Sequence, residues 1–234
     1  MATATLFGST GLVGHEVLTT LLASEAFKTA HTISRRAPKT GADNAKLVAT
    51  VEAETSAWAK KLTETSPPPA VVISAVGTSR EAAGSIAAQW KIDHDLNVEL
   101  AEAAKAAGVR TFVFVSSGGT RGALNGMWPY AKMKVGVEDK IKALDFETGI
   151  IFRPGLLLGK REKEMRGNGL LNGLVRGVGK ISASWQDALG QEASIIGRAV
   201  VAAAALAAEG KAPAKLWVLD ASDILRLGRD EWKA

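Results

Sequence analysis

The stretch FGSTGLVGHEVL, residues 7–18, decides the fold. It follows a short apolar and β-branched run, TATLF (3–7), and it sets glycines at positions 8, 11 and 14. Val13, Val17 and Leu21 then recur every four residues, the period of one helix face. The order is strand, glycine turn, helix. Such a turn presents backbone N–H groups and the positive end of a helix dipole, which suits a pyrophosphate, and side chains there would hold the phosphates away. Gly8, Ser9, Thr10, Gly11, Leu12, Val13 and Gly14 are therefore the first candidates for binding a dinucleotide. In a chain with 24 glycines the same spacing also suits a tight strand-to-helix turn that binds nothing.

Working outward, short β-branched runs alternate with longer helical patterns. Strands are expected at 3–7, 29–34, 46–50, 70–75, 111–116, 148–153 and 215–220, with long helical patterns at 85–107, 128–144 and 195–208. That alternation predicts an α/β fold: a doubly wound parallel β-sheet of the Rossmann type, with helices on both faces. SPPPA (66–70) breaks the pattern as a loop and not as a linker, because the helices on either side need the same sheet. The reading is one domain over 1–234.

Composition narrows the function classes. With 47% hydrophobic and 23% charged residues the chain is that of an ordinary globular protein. It has no cysteine, which excludes disulfides and thiolate zinc sites, and His15, His31 and His94 stand singly with no second ligand at helical spacing. The formal charge of +5 is spread along the chain, and the tryptophans do not interleave with Lys and Arg, so nucleic acid is not an expected partner. The longest apolar run, AVVAAAALAA (199–208), is too short to span a bilayer and reads as a buried helix. The first strand is expected to begin almost at once, leaving no room for a cleaved signal, so import through one is not expected; with no run long enough to span, any membrane attachment is expected to be peripheral.

Two further stretches carry chemistry. In a dinucleotide fold the end of the second strand faces the adenosine ribose, where an acid selects the free 2′-hydroxyl and an arginine accommodates a 2′-phosphate. Here that strand runs into Ser34, Arg35 and Arg36, and no acid follows before Asp43, which favours NADP(H) over NAD(H). Two arginines in an exposed loop are the bland alternative. In SSGGTRGALNGMWPYAKMKVGVE (116–138), Tyr130, the chain's sole tyrosine, and Lys134 lie one helical turn apart and share a face. A free phenol has a pKa of about 10, and an ammonium held nearby favours the phenolate; Lys134 can supply that charge. Ser117, at a strand end, can polarise the same substrate oxygen.

Taken together, GSTGLVG, SRR, SSGG, YAKMKVGVE and FRPGLLLGKRE resemble the atypical short-chain dehydrogenase/reductases of the NAD(P)-binding Rossmann superfamily over nearly the whole chain. Within them the chain is most similar to the branch containing the human Tat-interacting protein and fungal relatives assigned to the mitochondrial outer membrane. The resemblance implies NADPH-dependent reduction of a small carbonyl substrate. It gives the pyrophosphate to Gly8, Gly11 and Gly14, and the 2′-phosphate to Arg35 and Arg36. Ala75, Val76 and Gly77 would border the adenosine and ribose, and Pro154 and Gly155 the nicotinamide. Ser117, Tyr130 and Lys134 take the catalytic places, Lys134 also binding ribose. Asn97 is the candidate fourth member, with a helix-packing role the alternative. Residues 160–195 are expected to form a flap over the substrate, with no separate substrate domain. The second reading is a cofactor-sensing interaction protein that binds NADPH without significant turnover, with a protein partner or a membrane surface.

Overall fold

The computed structural model describes residues 1–122, 128–159 and 190–232. Nine strands are present among them: β1 (Ala2–Phe7), β2 (Phe27–Ser34), β3 (Leu47–Val51), β4 (Val71–Ser74), β5 (Thr111–Val115), β6 (Thr148–Phe152), β7 (Leu156–Leu158), β8 (Gly190–Glu192) and β9 (Leu216–Leu219). Seven of them form one parallel sheet in the order β3-β2-β1-β4-β5-β6-β9. All seven expected strands are found, within two residues of their expected ends.

Both faces of this sheet are covered, which is why the central strands read as unbroken apolar runs. Side chains alternate between two cores. Leu6, Ile73, Val113 and Ile150 pack against α1 (Leu12–Ala23) and the alanine-rich helix of residues 193–208. Phe7, Val72, Phe112 and Phe114 face a helical layer over 58–144. The alanine run lets two helices approach closely: a Cβ on Gly197 would lie 2.8 Å from the Glu16 backbone carbonyl carbon on α1.

The expected single helix over 85–107 is instead three pieces. After α2 (Trp58–Thr63) and α3 (Arg80–Ala83) come α4 (Ile86–Trp90), a widened π-helical turn over Lys91–Asp95, and α5 (Leu96–Ala106). The side chain of Asn97 supplies the reason, donating from Nδ2 to the carbonyls of Ile92 at 3.0 Å and Asp93 at 3.4 Å inside the turn. Helices α6 (Pro129–Leu144) and α7 (Ala193–Ala208) match expectation, and α8 (Ala221–Leu225) adds a short turn capped by Asp220. Of the expected flap, residues 160–189 lie outside the described residues. Its last six hold β8, which pairs with β7, and the start of α7 at Ala193.

Candidate functional site

Every candidate group leaves the sheet at its C-terminal edge. Phe7 is in register with Ile33 on one side and Ser74 on the other, so the glycine turn, the arginines and the segment after β4 emerge side by side. In the glycine turn two positions are dictated by the chain itself. Gly8 has φ +84°, and a Cβ there would sit 2.6 Å from the carbonyl oxygen of Ala75; a Cβ on Gly14 would fall onto the Gly8 carbonyl. Gly11 is different. It is exposed, and a Cβ there would meet nothing closer than the Gly8 oxygen at 3.3 Å. Beside it Ser9 Oγ is buried without a hydrogen-bond partner among the described residues. The turn fits a phosphate-bearing group. Leu12 and Val13 open α1.

At the end of β2, Ser34 is buried and its hydroxyl donates to the Arg36 carbonyl at 2.7 Å, fixing the bend after the strand. Arg35 and Arg36 are exposed. Beyond β4 the chain passes through Ala75 and Val76 to Gly77. A Cβ on Gly77 would stand 3.2 Å from Asp93 Oδ1 and 3.6 Å from Lys134 Nζ.

Lys134, on α6, is 3% exposed and pairs with Asp93 of the π turn at 3.3 Å. Its ammonium lies 5.0 Å from the centre of the Phe114 ring and 5.8 Å from that of Tyr130. Asp93 Oδ2 also accepts the backbone N–H of Thr78 at 2.9 Å. Burial raises the pKa of Asp93, with the Lys134 charge and the Thr78 N–H opposing. Tyr130, one turn before Lys134, is 40% exposed. Asn97 is wholly occupied: besides the two carbonyls in the π turn, its Oδ1 accepts from Ser74 Oγ at 2.6 Å and its Nδ2 reaches the Val76 carbonyl at 3.4 Å. Its side chain braces the π turn against the end of β4.

Past β5 two serines divide the work. Ser116 donates to Glu138 Oε1 at 2.7 Å, whereas among the described residues the partly buried Ser117 hydroxyl has a 3.5 Å contact with the neighbouring Gly118 carbonyl. Glu138 is 1% exposed and accepts from Arg121 Nε at 2.8 Å and from Arg153 Nε and Nη2 at 3.1 and 2.7 Å. Burial pushes its pKa up, but hydrogen bonds from Arg153, Ser116 and Arg121 outweigh this and hold the carboxyl below its ordinary range. The Gly118 N–H donates to Pro154 O at 2.6 Å, and the Gly155 N–H to Gln191 Oε1 at 2.7 Å. Thus α6, the loop after β5 and the loop after β6 are tied together at one place.

Sequence reasoning missed Asp93 and Glu138. Each is a charged residue on the buried stripe of a helix, beside Leu96 and Leu100 in one case and Val137 and Ile141 in the other, and that pattern was the available signal. The clefts at the sheet's opposite edge, one beside Arg110 and Lys215 and one beside Pro67, contain none of these groups.

The family model for the NAD dependent epimerase/dehydratase family matches residues 4–188. Among curated proteins, "Protein fmp-52, mitochondrial" of Neurospora crassa is 58% identical over 97% of this chain and 96% of its own length. "Protein fmp52-2, mitochondrial" of Aspergillus oryzae is 55% identical over the full length of both. Among solved structures, a UDP-N-acetylglucosamine 4-epimerase from Methanobrevibacter ruminantium aligns with a TM-score of 0.69 and 14% identity, covering 94% of this chain and 76% of that one. MoeE5 in complex with UDP-glucose and NAD aligns with a TM-score of 0.66 and 15% identity, covering 97% and 81%. At such identities the likeness is one of fold.

Proposed function

The chain belongs to the NAD dependent epimerase/dehydratase family, and we propose that within it this protein is an NADPH-dependent reductase of a small carbonyl compound. The observation that carries the reading is the position of the Lys134 ammonium. It is buried, 5.8 Å from the Tyr130 ring centre and 3.6 Å from the Cβ position of Gly77, and so lies between the phenol and the segment that would border the ribose.

The glycine turn, with the exposed Gly11, would hold the pyrophosphate, Arg35 and Arg36 the 2′-phosphate, Lys134 the nicotinamide ribose, and Pro154 and Gly155 the nicotinamide. When bound, the dinucleotide supplies a hydride to the carbonyl carbon. Tyr130 donates its phenolic proton to the carbonyl oxygen, which completes the alcohol. The Ser117 hydroxyl donates to the same oxygen and stabilises the negative charge that develops there. Lys134 then faces the phenolate with its ammonium until Tyr130 regains a proton from solvent.

Membership of the branch that holds the human Tat-interacting protein, and a peripheral seat on the mitochondrial outer membrane, belong to the same proposal. In support, the fungal relatives carry mitochondrial names, and no described helix is long and apolar enough to cross a membrane.

The thermal midpoint with NADPH and, separately, with NADH tests the cofactor. At a hundred times the dissociation constant, binding adds about 2.7 kcal/mol, or roughly 5–10 °C for a chain of this size. The larger shift is expected with NADPH, and it should shrink in Arg35→Ala. No shift with either nucleotide would refute the reading. A shift without NADPH oxidation across a panel of aldehydes and ketones would leave a nucleotide-dependent binding protein.

A further inference from the structure

The reaction above uses Lys134 but not the carboxylate bonded to it. Asp93 is 1% exposed, and its two oxygens face different elements: Oδ1 the Lys134 ammonium on α6 at 3.3 Å, Oδ2 the backbone N–H of Thr78 at 2.9 Å, next to Gly77. One carboxylate therefore couples the lysine to the backbone at the position expected to border the ribose. The π turn makes this possible. Asn97, through Ser74 and the Ile92 and Asp93 carbonyls, holds the widened turn against the end of β4, and that turn presents Asp93 to α6. A lysine carries its charge on a flexible four-carbon stem, and a buried ammonium without a counter-charge is unfavourable. Its location has to be imposed by a partner. Among the described residues Asp93 is the carboxylate in ion-pair contact with it.

We propose that Asp93 is a positioning residue for cofactor binding: it fixes the Lys134 ammonium beneath Gly77, where Lys134 meets the nicotinamide ribose of a bound dinucleotide. This rests on the cofactor reading above. It is a claim about the nicotinamide half of the cofactor, because Asp93 acts through Lys134 and the ribose that Lys134 would meet belongs to that half. A carboxylate needed only for folding would be indifferent to which half is present.

The test compares calorimetric affinities of the intact protein for NADPH and for 2′,5′-ADP, which carries the 2′-phosphate but no nicotinamide ribose. Asp93→Asn keeps an acceptor for the Thr78 N–H and removes the charge. It should weaken NADPH about tenfold, the size of one lost hydrogen bond to a charged group, and leave 2′,5′-ADP within about twofold. In a Lys134→Met background, adding Asp93→Asn should change NADPH affinity by less than about twofold, because the residue through which Asp93 acts is gone. The double variant buries a neutral pair of similar shape. If Asp93→Asn alone does not fold, Asp93→Glu keeps the ion pair but shifts it by one methylene, and a loss confined to NADPH is expected there too. Equal losses for NADPH and 2′,5′-ADP, or a loss undiminished in the Lys134→Met background, would overturn the assignment. Wild type that binds neither ligand would overturn the cofactor reading itself, and with it this inference.

Discussion

Glu138→Gln replaces a buried carboxylate with a carboxamide of the same shape, and its cost follows from the partners left behind. The native group accepts from Ser116, from Arg121, and twice from Arg153. The Arg153 side chain is 19% exposed, so losing its counter-charge approaches the roughly 3–5 kcal/mol cost of breaking a buried pair. Arg121 is 42% exposed and keeps Asp139 as a partner, so its share is about 1 kcal/mol or less. A loss of about 3 kcal/mol at neutral pH follows, which lowers the thermal midpoint by roughly 6–12 °C. The difference should depend on pH with a definite sign. The folded-state pKa of Glu138 is depressed, so its contribution is fully present above the ordinary value of 4.5 and is lost as pH falls through the lower folded value. Melting curves of wild type and variant at pH 7, 5, 4 and 3 should therefore show a constant gap that narrows below about 4.5, by no more than about 1.4 kcal/mol per pH unit. The two proteins should converge once the wild-type carboxyl is protonated and matches the carboxamide. A gap below about 2 °C at pH 7, or one unchanged down to pH 3, would refute the assignment of these hydrogen bonds to an ionised Glu138.

Four further outcomes are expected. Arg35→Ala combined with Arg36→Ala should weaken NADPH by about 10- to 100-fold while leaving NADH within about threefold, read by fluorescence titration, since only the 2′-phosphate loses its charge-assisted bonds. Tyr130→Phe should lower turnover by about 10²–10⁴ with NADPH affinity within about twofold, in steady-state assays on whichever carbonyl the panel identifies. Gly14→Ala drives a methyl into the Gly8 carbonyl and should destabilise by about 1–3 kcal/mol. Gly11→Ala, whose methyl would press on the Gly8 oxygen at 3.3 Å and on nothing else nearby, should cost less stability than Gly14→Ala yet lose nucleotide affinity, in parallel melting and binding experiments.

The parts of this structure that could be read from sequence depend on residues close together in the chain. A strand such as TFVFV, a glycine turn leading into Val13, Val17 and Leu21, and a tyrosine four residues before a lysine are each local patterns, and each is found where expected. The break in the long helix was not readable in this way. The π turn exists because Asn97 turns back on Ile92 and Asp93 while its other end accepts from Ser74, 23 residues earlier, and no spacing rule foretells that Ser74 will be opposite. Glu138 is similar: it lies on the same face as Lys134, but its three partners come from the end of β5, the loop after it and the end of β6. Helix α2 was missed for a different reason. It is six residues long, too short to show a period, and its Trp58 is recognised by the Phe7 ring 5.8 Å away.

The face of α6 that carries Tyr130, Lys134 and Glu138 is graded along its length. Glu138 is 1% exposed, Lys134 3% and Tyr130 40%, so the same stripe that begins at the surface after Pro129 ends in the core eight residues later. The buried charges on it are matched in place, Lys134 by Asp93 and Glu138 by Arg153 and Arg121, so neither is left as a bare charge in a low-dielectric interior. The anchoring groups thus lie behind the phenol of Tyr130 and the open end lies in front. A helix held this way can present a phenol to a ligand without that ligand supplying the order of the helix, because α6 is anchored at Glu138 by β5 and β6 and at Lys134 by the π turn. Loosening Glu138 should therefore disturb α6 from the β5 and β6 side, Ser117 included, whereas loosening Asp93 should disturb it from the π-turn side, Lys134 first; the two carboxylates hold the same helix from different elements.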